Sequence, residues 1–337
     1  PFLGWLLVKR NLREIYAYPL ATLLCVASVF IGFVLPVSLP TQTWVILIAL
    51  YVWLAAAVPV WLILQPREFV SVQFLYLGIL LLFAAIVGAG FAGTTLQAPT
   101  TNIGSGVKVL GWLWPSLFVT IACGAISGFH GIVASGTTCK QVARESHAKH
   151  IGYLAMLGES MLAVVVTLAI AGGLSYSEYQ SVLMPAKETG LKPNPVLAFS
   201  LGVAGICEKG LGIPQWLGIV FGLLMVEGFV LDTLDVAIRL NRYLLEEVWS
   251  MVFKKGMPAL FKNYWFNSGI AVGLMLLLAF RNTADILWPI FGTGNQLLAA
   301  LSLLAVSAWF WKERRKVAYT LIPGILVGIT TVGSLIY

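Results

Sequence analysis

Phe118-Val-Thr-Ile-Ala-Cys-Gly-Ala-Ile-Ser-Gly-Phe-His-Gly131 is the stretch on which the reading of this chain turns. It sits inside an apolar run, residues 111–139, long enough to cross a hydrocarbon core of about 30 Å. Gly124, Gly128, Gly131 and Gly136 are poor helix formers, and Ser127-Gly128-Phe129-His130-Gly131 falls mid-span. A helix that unwinds there frees carbonyls on one side and N–H groups on the other, a pair of backbone dipoles suited to ions and carboxylates. Glycines for close packing with a hydrogen-bonded core histidine would be the plainer account. A histidine beside a serine in a glycine-rich mid-membrane stretch is more than packing requires, so the expectation is a broken helix near 127–131.

The rest of the chain sets that run in a membrane. Of 337 residues, 59% are apolar and only 10% charged, with a mean hydropathy of +0.90. A soluble domain carries roughly 25% charged residues. The 12 Trp and 33 Gly fit lipid interfaces and spanning helices. The composition indicates an all-α polytopic membrane protein and excludes a disordered chain, a disulfide scaffold, a nucleic-acid binder and a soluble metabolic enzyme. Cys25, Cys123, Cys139 and Cys207 are scattered without metal-binding spacing. Pro1 opens the chain with neither Met nor signal-peptide architecture, and the expectation is an N-terminal truncation or a missing partner segment or second subunit.

At about 20 apolar residues per crossing, nine spans are expected: 19–38, 43–65, 69–91, 111–139, 151–173, 214–235, 265–281, 285–311 and 317–337. Segment 196–207 is apolar but short, and is expected to be re-entrant or interfacial. Alternating from an internal N-terminus leaves Lys108, Lys187, Lys192, Lys209 and Arg281 on one side and the remaining sixteen of the 21 Lys and Arg on the other. This agrees with the positive-inside rule and places the C-terminus outside. The +7 net charge then belongs to the membrane surface, not to a nucleic-acid partner. Gly124/Gly128, Gly218/Gly222, Gly269/Gly273 and Gly324/Gly328 are small-xxx-small pairs suited to close helix contact.

Charge inside such helices is costly and marks function or pairing. Glu227, Asp232 and Asp235 lie on one helix, and at 100° per residue Asp232, Asp235 and Arg239 share a face. An Asp235–Arg239 ion pair at i,i+4 is expected. Asp232 and Glu227 lack a local basic partner and should be protonated, paired or ion-coordinating. Glu159 in span 151–173 is either satisfied by a neighbour or a proton carrier. After Trp288-Pro-Ile-Phe-Gly-Thr-Gly294, the amides of Asn295 and Gln296 can line a polar cavity.

Several of these motifs together resemble the carbon starvation protein A family: Gly-Ala-Ile-Ser-Gly-Phe-His (124–130) with Ser135-Gly136-Thr137-Thr138, Val-Pro-Val-Trp-Leu-Ile-Leu-Gln-Pro-Arg-Glu-Phe (58–69), Ile-Gly-Tyr-Leu-Ala-Met-Leu-Gly-Glu (151–159), Thr-Leu-Asp-Val-Ala-Ile-Arg-Leu-Asn-Arg-Tyr (233–243) and Phe-Gly-Thr-Gly-Asn-Gln-Leu-Leu-Ala-Ala (291–300). The resemblance covers nearly the whole chain. It implies a bacterial inner-membrane transporter of peptides or pyruvate in the amino acid–polyamine–cation superfamily, built from two inverted repeats with a broken helix in each. On that basis 1–337 is a single transmembrane domain in which 19–91 ends the first repeat, 111–311 forms the second and 317–337 is an additional helix. The family's earlier spans are absent here. Asp232-Thr233-Leu-Asp235 also departs from the more usual Thr-Thr-Leu-Asp, where the superfamily often offers two hydroxyls to sodium.

The resemblance implies secondary active uptake of a short peptide or small carboxylate, coupled to H⁺ or Na⁺, with no other cofactor and no metal. Ser127, Gly128, Phe129, His130, Asn295 and Gln296 would bind substrate, and Glu159, Glu227, Asp232, Thr233 and Asp235 would couple the ion. A membrane-embedded metal-dependent enzyme is the alternative, with His147, His150, Cys139 and Glu145 to hold the metal, but loop solvation accounts better for that basic stretch. An uncoupled channel or nutrient sensor is a third reading. No Gly-x-x-x-x-Gly-Lys-Ser/Thr motif is present for ATP-driven transport.

Overall fold

The computed structural model describes residues 2–10, 12–97, 99, 101, 103–104, 107, 112–185, 192–254, 256–281 and 284–336. Gly111, Lys108, Lys187 and Tyr337, which enter the span and orientation expectations, lie outside the described residues. Helices follow one another along the chain: α1 (Phe2–Lys9), α2 (Glu14–Val34), α3 (Thr41–Ala57), α4 (Leu64–Phe91), α5 (Phe118–Ala125), α6 (Gly128–Gly136), α7 (Glu145–Gly173), α8 (Tyr176–Leu183), α9 (Pro195–Leu211), α10 (Gln215–Val252), α11 (Tyr264–Phe280), α12 (Ala284–Lys312) and α13 (Ala318–Ile336). Among the described residues there is no strand.

Among the described residues, six helical segments are long and apolar enough to cross a membrane: Ile15–Val34, Leu64–Phe91, Glu145–Gly173, Gln215–Val252, Ile290–Lys312 and Ala318–Ile336. The remaining three of the nine expected spans, 43–65, 111–139 and 265–281, fall on shorter helices. Span 43–65 stops at Ala57 because Val58 precedes Pro59 and takes an extended conformation with ψ 163°, the restriction a following proline imposes. That leaves a 17-residue helix, and Tyr264–Phe280 has the same length. Run 111–139 divides into an irregular turn at Leu113–Leu117 and two short helices.

Segment 196–207, expected to be re-entrant or interfacial, lies within the 17-residue helix α9. Asn194 caps it, its side-chain oxygen accepting from Leu197 N at 3.0 Å, with Pro195 in the first turn. Gly212 ends it at φ 67°, the left-handed conformation glycine enters without a Cβ clash. The sequence expectation stopped at Cys207 because Glu208 and Lys209 break the apolar run, although helical backbone continues through them.

The chain divides into two compact units whose boundaries fall within α4 and α10: residues 1–80 with 223–283, and residues 81–222 with 284–337. In the first unit, Ala49, Val52, Ala56, Ile238, Ala271 and Val272 form a buried cluster. Trp53 Nε1 donates to the Trp265 carbonyl at 3.0 Å. The buried Gly4 of α1 lies against Pro66 and the Trp61 carbonyl, with no room for a Cβ.

In the second unit α9 is the element its neighbours close upon. Gly173 of α7 meets the carbonyl of Gly202, and Gly205 meets that of Gly173, so that a Cβ at either would overlap backbone. Gly210 abuts Ala85 of α4, and Gly218 and Gly222 of α10 press on Ala204 and Ser200. Where lipid removes the hydrophobic drive between helices, such approaches supply the packing. Lys209 Nζ donates to the Gly172 and Gly173 carbonyls at 2.8 and 3.3 Å, placing a cation on the negative end of α7. The Gly218/Gly222 pair therefore acts as expected, whereas Gly273 has open space around it.

Candidate functional site

In the second unit the break falls at Ile126 (φ −143°, ψ 107°) and Ser127 (φ −119°, ψ 126°), both extended, between α5 and α6. The N–H groups that begin α6 are answered from within the chain. His130 N donates to Ser127 Oγ at 3.3 Å. Phe129 N donates to Asn295 Oδ1 of α12 at 2.6 Å, and Ser127 Oγ donates to the same oxygen at 3.2 Å. Asn295 Nδ2 in turn donates to Cys123 Sγ at 3.1 Å. In an apolar span these donors have no water to turn to, so a buried amide oxygen stands at the positive end of α6 where a ligand carboxylate was expected.

Gly128 makes this possible. A Cβ there would meet Ala299 N and Leu298 Cβ at 2.6 Å and would overlap the Asn295 carbonyl, so only glycine lets α12 approach closely enough to present Asn295. Gln296 is 1% exposed, and neither of its amide atoms has a hydrogen-bond partner. The Phe129 and Phe291 rings lie edge to face, 6.5 Å between centroids. His130 is exposed. Glu159 is also exposed, and its Oε1 lies 4.0 Å from where a Gly124 side chain would begin. The structure thus gathers Ser127, Gly128, Phe129 and Asn295 and puts Glu159 beside the same broken helix.

The first unit holds a cluster of charged residues. Arg67, near the start of α4, reaches two carboxylates of α10: Nε lies 3.2 Å from Asp232 Oδ1, and Nη1 pairs with Asp235 Oδ2. Tyr51 of α3 receives Arg67 Nη1 at 2.8 Å and donates to Asp235 Oδ2 at 3.0 Å. Asp235 is 1% exposed; the Asp232 side chain is 22% exposed. Asp232, Glu227, Arg67, Ser28 and Ser71 line a cavity of about 440 Å³, otherwise largely apolar. Glu68, half-buried, lies within electrostatic range of Asp232, Arg239, Arg67 and Asp235. Thr233 is exposed.

The expected Asp235–Arg239 pair is therefore replaced. Asp235 is held by Arg67 from another helix, while Arg239 Nη2 donates to the Ala55 and Val58 carbonyls at 2.6 and 2.8 Å. Arg242 Nη1 donates to the Ala56 carbonyl at 2.9 Å, and its guanidinium also lies over the Tyr243 and Tyr264 rings. Both arginines satisfy the carbonyls left open where Pro59 stops α3. An i,i+4 spacing counts only neighbours on one helix, and these carbonyls are tertiary competitors. Asp232, expected to lack a local basic partner, converges with Asp235 on Arg67.

Arg67 and Tyr51 are the residues that sequence reasoning missed. Arg67 counts as a loop cation if span 69–91 begins after it, but α4 begins at Leu64, which puts Arg67 inside the helix. The signal was an Arg-Glu pair directly before an apolar run, with unpaired aspartates elsewhere in need of a cation. Among the described residues, no three His, Cys, Asp or Glu side chains group so as to hold a metal ion.

The profile of the family described as Carbon starvation protein CstA matches residues 1–195 and 184–334. Similar proteins include the peptide transporter CstA of Helicobacter pylori, 30% identical over a 313-residue alignment that covers 79% of this chain and 45% of the relative. The peptide transporter CstA of Bacillus subtilis is 30% identical over a 320-residue alignment that covers 85% of this chain and 52% of the relative. The pyruvate/proton symporter BtsT of Escherichia coli is 30% identical over a 358-residue alignment that covers 85% of this chain and 49% of the relative. The chain spans about half the length of the curated relatives it matches. No solved structure matches it. A profile match that runs along nearly the whole chain, on a multi-pass helical frame with polar groups set inside apolar helices, has one reading: the chain belongs to the carbon starvation protein CstA family.

Proposed function

We propose that this protein takes part in secondary active uptake of short peptides or a small carboxylate such as pyruvate across the bacterial inner membrane, driven by a proton or sodium gradient during carbon starvation. Relatives named as peptide transporters and as a pyruvate/proton symporter support the reading. The observation that carries it is the break at Ile126–Ser127, which turns N–H groups toward a polar oxygen inside an otherwise apolar helix. The start of α6 favours negative charge, and Asn295 occupies it with a neutral oxygen. A carboxylate that displaced the amide would gain the same two donors, Phe129 N and Ser127 Oγ, and add its charge. Gln296 and His130 would then be the nearest groups to contact the rest of the substrate. Glu159, Glu227, Asp232, Thr233 and Asp235 are the candidates for coupling.

The test is uptake by the protein in liposomes, offered di- and tripeptides and pyruvate, with and without imposed proton and sodium gradients. Accumulation above the external concentration that collapses when one gradient is dissipated is the expected result, with Asn295→Ala changing the apparent affinity for substrate. Gradient-independent flux would point to a channel, and no flux of any of these solutes would defeat the proposal.

A further inference from the structure

The first unit singles out one of the coupling candidates it holds, an inference that rests on the transport reading above. Around Arg67, three carboxylates (Glu68, Asp232, Asp235) face two guanidiniums (Arg67, Arg239), and Arg239 is fastened to backbone carbonyls. With Glu227 on the wall of the same cavity, the cluster therefore has at least one negative charge too many, inside helices of membrane-spanning length. An unpaired carboxylate at that depth costs about 2.5–3.5 kcal/mol on insertion scales, so one carboxyl must carry a proton or a bound cation.

The geometry shows which one. Asp235 is 1% exposed, and its Oδ2 is held jointly by Arg67 Nη1 and Tyr51. Its other oxygen, Oδ1, is buried without a partner, sealed from the cavity. Asp232 Oδ1, also buried, lies 3.2 Å from Arg67 Nε, and Ser71 hydrogen-bonds to the same carboxylate, but the side chain is 22% exposed and opens onto the 440 Å³ cavity beside Glu227, Ser28 and Ser71. The groups that face it are Cys25 and Ser28 from α2, Arg67, Glu68 and Ser71 from α4, and Glu227 from α10. Tyr51 of α3 and Arg239 stand behind, on the Asp235 side.

We infer that Asp232 is the carboxylate that exchanges the coupling cation, a proton or an alkali ion, with the cavity, and that Arg67 is a positioning residue that keeps Asp235 out of the exchange. A cation arriving at Asp232 takes over its share of Arg67, whose guanidinium then belongs wholly to Asp235. A cation leaving restores the bridge between the two aspartates. One planar fork with separate nitrogens serves both acids at once, where a lysine point charge would divide less evenly between them.

Two measurements on the full chain test it. The first is thermal unfolding of the detergent-purified protein across pH and in sodium against choline. The wild type is expected to be stabilised by one of the two cations, since a ligand bound to the native state raises the unfolding midpoint. Asp232→Asn should abolish that response and Asp235→Asn, though less stable, should keep it. Arg67→Lys should keep the response but move its midpoint in pH or sodium by about tenfold in concentration, within the range of ordinary coupling energies.

The second is transport. Asp232→Asn should retain substrate exchange at equal gradients and lose gradient-driven accumulation. Loss of the cation response in Asp235→Asn but not in Asp232→Asn overturns the inference, as does a wild type indifferent to both cations. A cation response that depends on Asp232, in a protein that moves no peptide or pyruvate, would instead sink the transport reading and leave the cation site standing.

Discussion

Gly128 and Gly273 occupy similar places in the sequence, each the second member of a small-xxx-small pair, and the structure treats them differently. Gly128 sits where a Cβ would strike Ala299, Leu298 and the Asn295 carbonyl, all across a helix contact. Gly273 has nothing within 4 Å of a would-be Cβ. Gly128→Ala is therefore expected to lower stability by about 1–3 kcal/mol through overpacking and to reduce uptake by pushing Asn295 off the α6 donors. Gly273→Ala should raise stability by a few tenths of a kcal/mol up to about 1, the helix-propensity gain. Unfolding midpoints of the two variants under identical detergent conditions decide this, and equal shifts would show that the Asn295 contact is not tight. The same scale separates Arg67 from Arg239. Both are arginines near aspartates, but only Arg67 bonds to them, because stopped helix α3 offers Arg239 bare carbonyls.

At the scale of the element, helix ends carry the design. The α6 start depends on Ser127 Oγ accepting from His130 N. Ser127→Ala removes that cap and one donor to Asn295, with an expected loss of about 1 kcal/mol. A peptide-level cap of this kind is measurable as a lower unfolding midpoint, and Ser127→Thr should restore most of it. Helix α8 begins with a reciprocal box in which Ser175 Oγ accepts from Glu178 N and the Glu178 carboxylate accepts from Ser175 N and Oγ. Those bonds hold the Glu178 carboxyl below its ordinary range. Because the folded value is the lower one, the box stabilises above the unfolded carboxyl pKa and its contribution is lost as pH falls through the folded value. Glu178→Gln should leave α8 docking insensitive to that acid range. Amide exchange at Ser175 and Glu178 across pH reads it out, and an identical acid profile in both proteins would argue against the box.

For the whole molecule, the distribution of cations predicts which turns share a side of the membrane. The end of α12 and the turn after it carry Lys312, Arg314, Arg315 and Lys316, all exposed, next to Trp309 and Trp311. The segment before α7 and the start of that helix carry Lys140, Arg144 and Lys149. Positive-inside bias places both on the cytoplasmic face and Lys192, before α9, on the opposite one. In a background lacking the four native cysteines, single cysteines at 149, 192 and 315 should label accordingly in intact cells: 192 with an impermeant maleimide from outside, 149 and 315 only after permeabilisation. Labelling of 149 and 315 from opposite sides would mean that an odd number of crossings separates them where an even number was expected, and would require the span assignment to be redrawn.

How far the sequence could be read depends on how local each cause is. Membrane class, helical content and the break beside Ser127 follow from composition, helix propensity and backbone restriction, which act over a few neighbouring residues; the stop at Pro59 has an equally local cause, but the expected span 43–65 ran through it. The family, too, was legible in ordered motifs. Within the break, the choice of partner was not: Asn295 lies 168 residues from Ser127, and only folding brings its oxygen to the α6 donors. The length of α9 was misjudged because hydropathy ends at Cys207 while helical hydrogen bonding continues to Leu211. The ion pairs were misassigned for the same reason that the Asn295 contact was invisible. Asp232 and Asp235 needed a cation, and the local candidate, Arg239, was nearest in sequence. Arg67, 168 residues from Asp235, took the place because two helices and Tyr51 set its guanidinium between the two acids. Sequence alone determined what each segment would be, since that depends on short-range sterics and on transfer of side chains from water. Tertiary structure alone decided which polar groups meet, since buried charges and N–H groups select partners by distance in space, and no spacing along the chain encodes that.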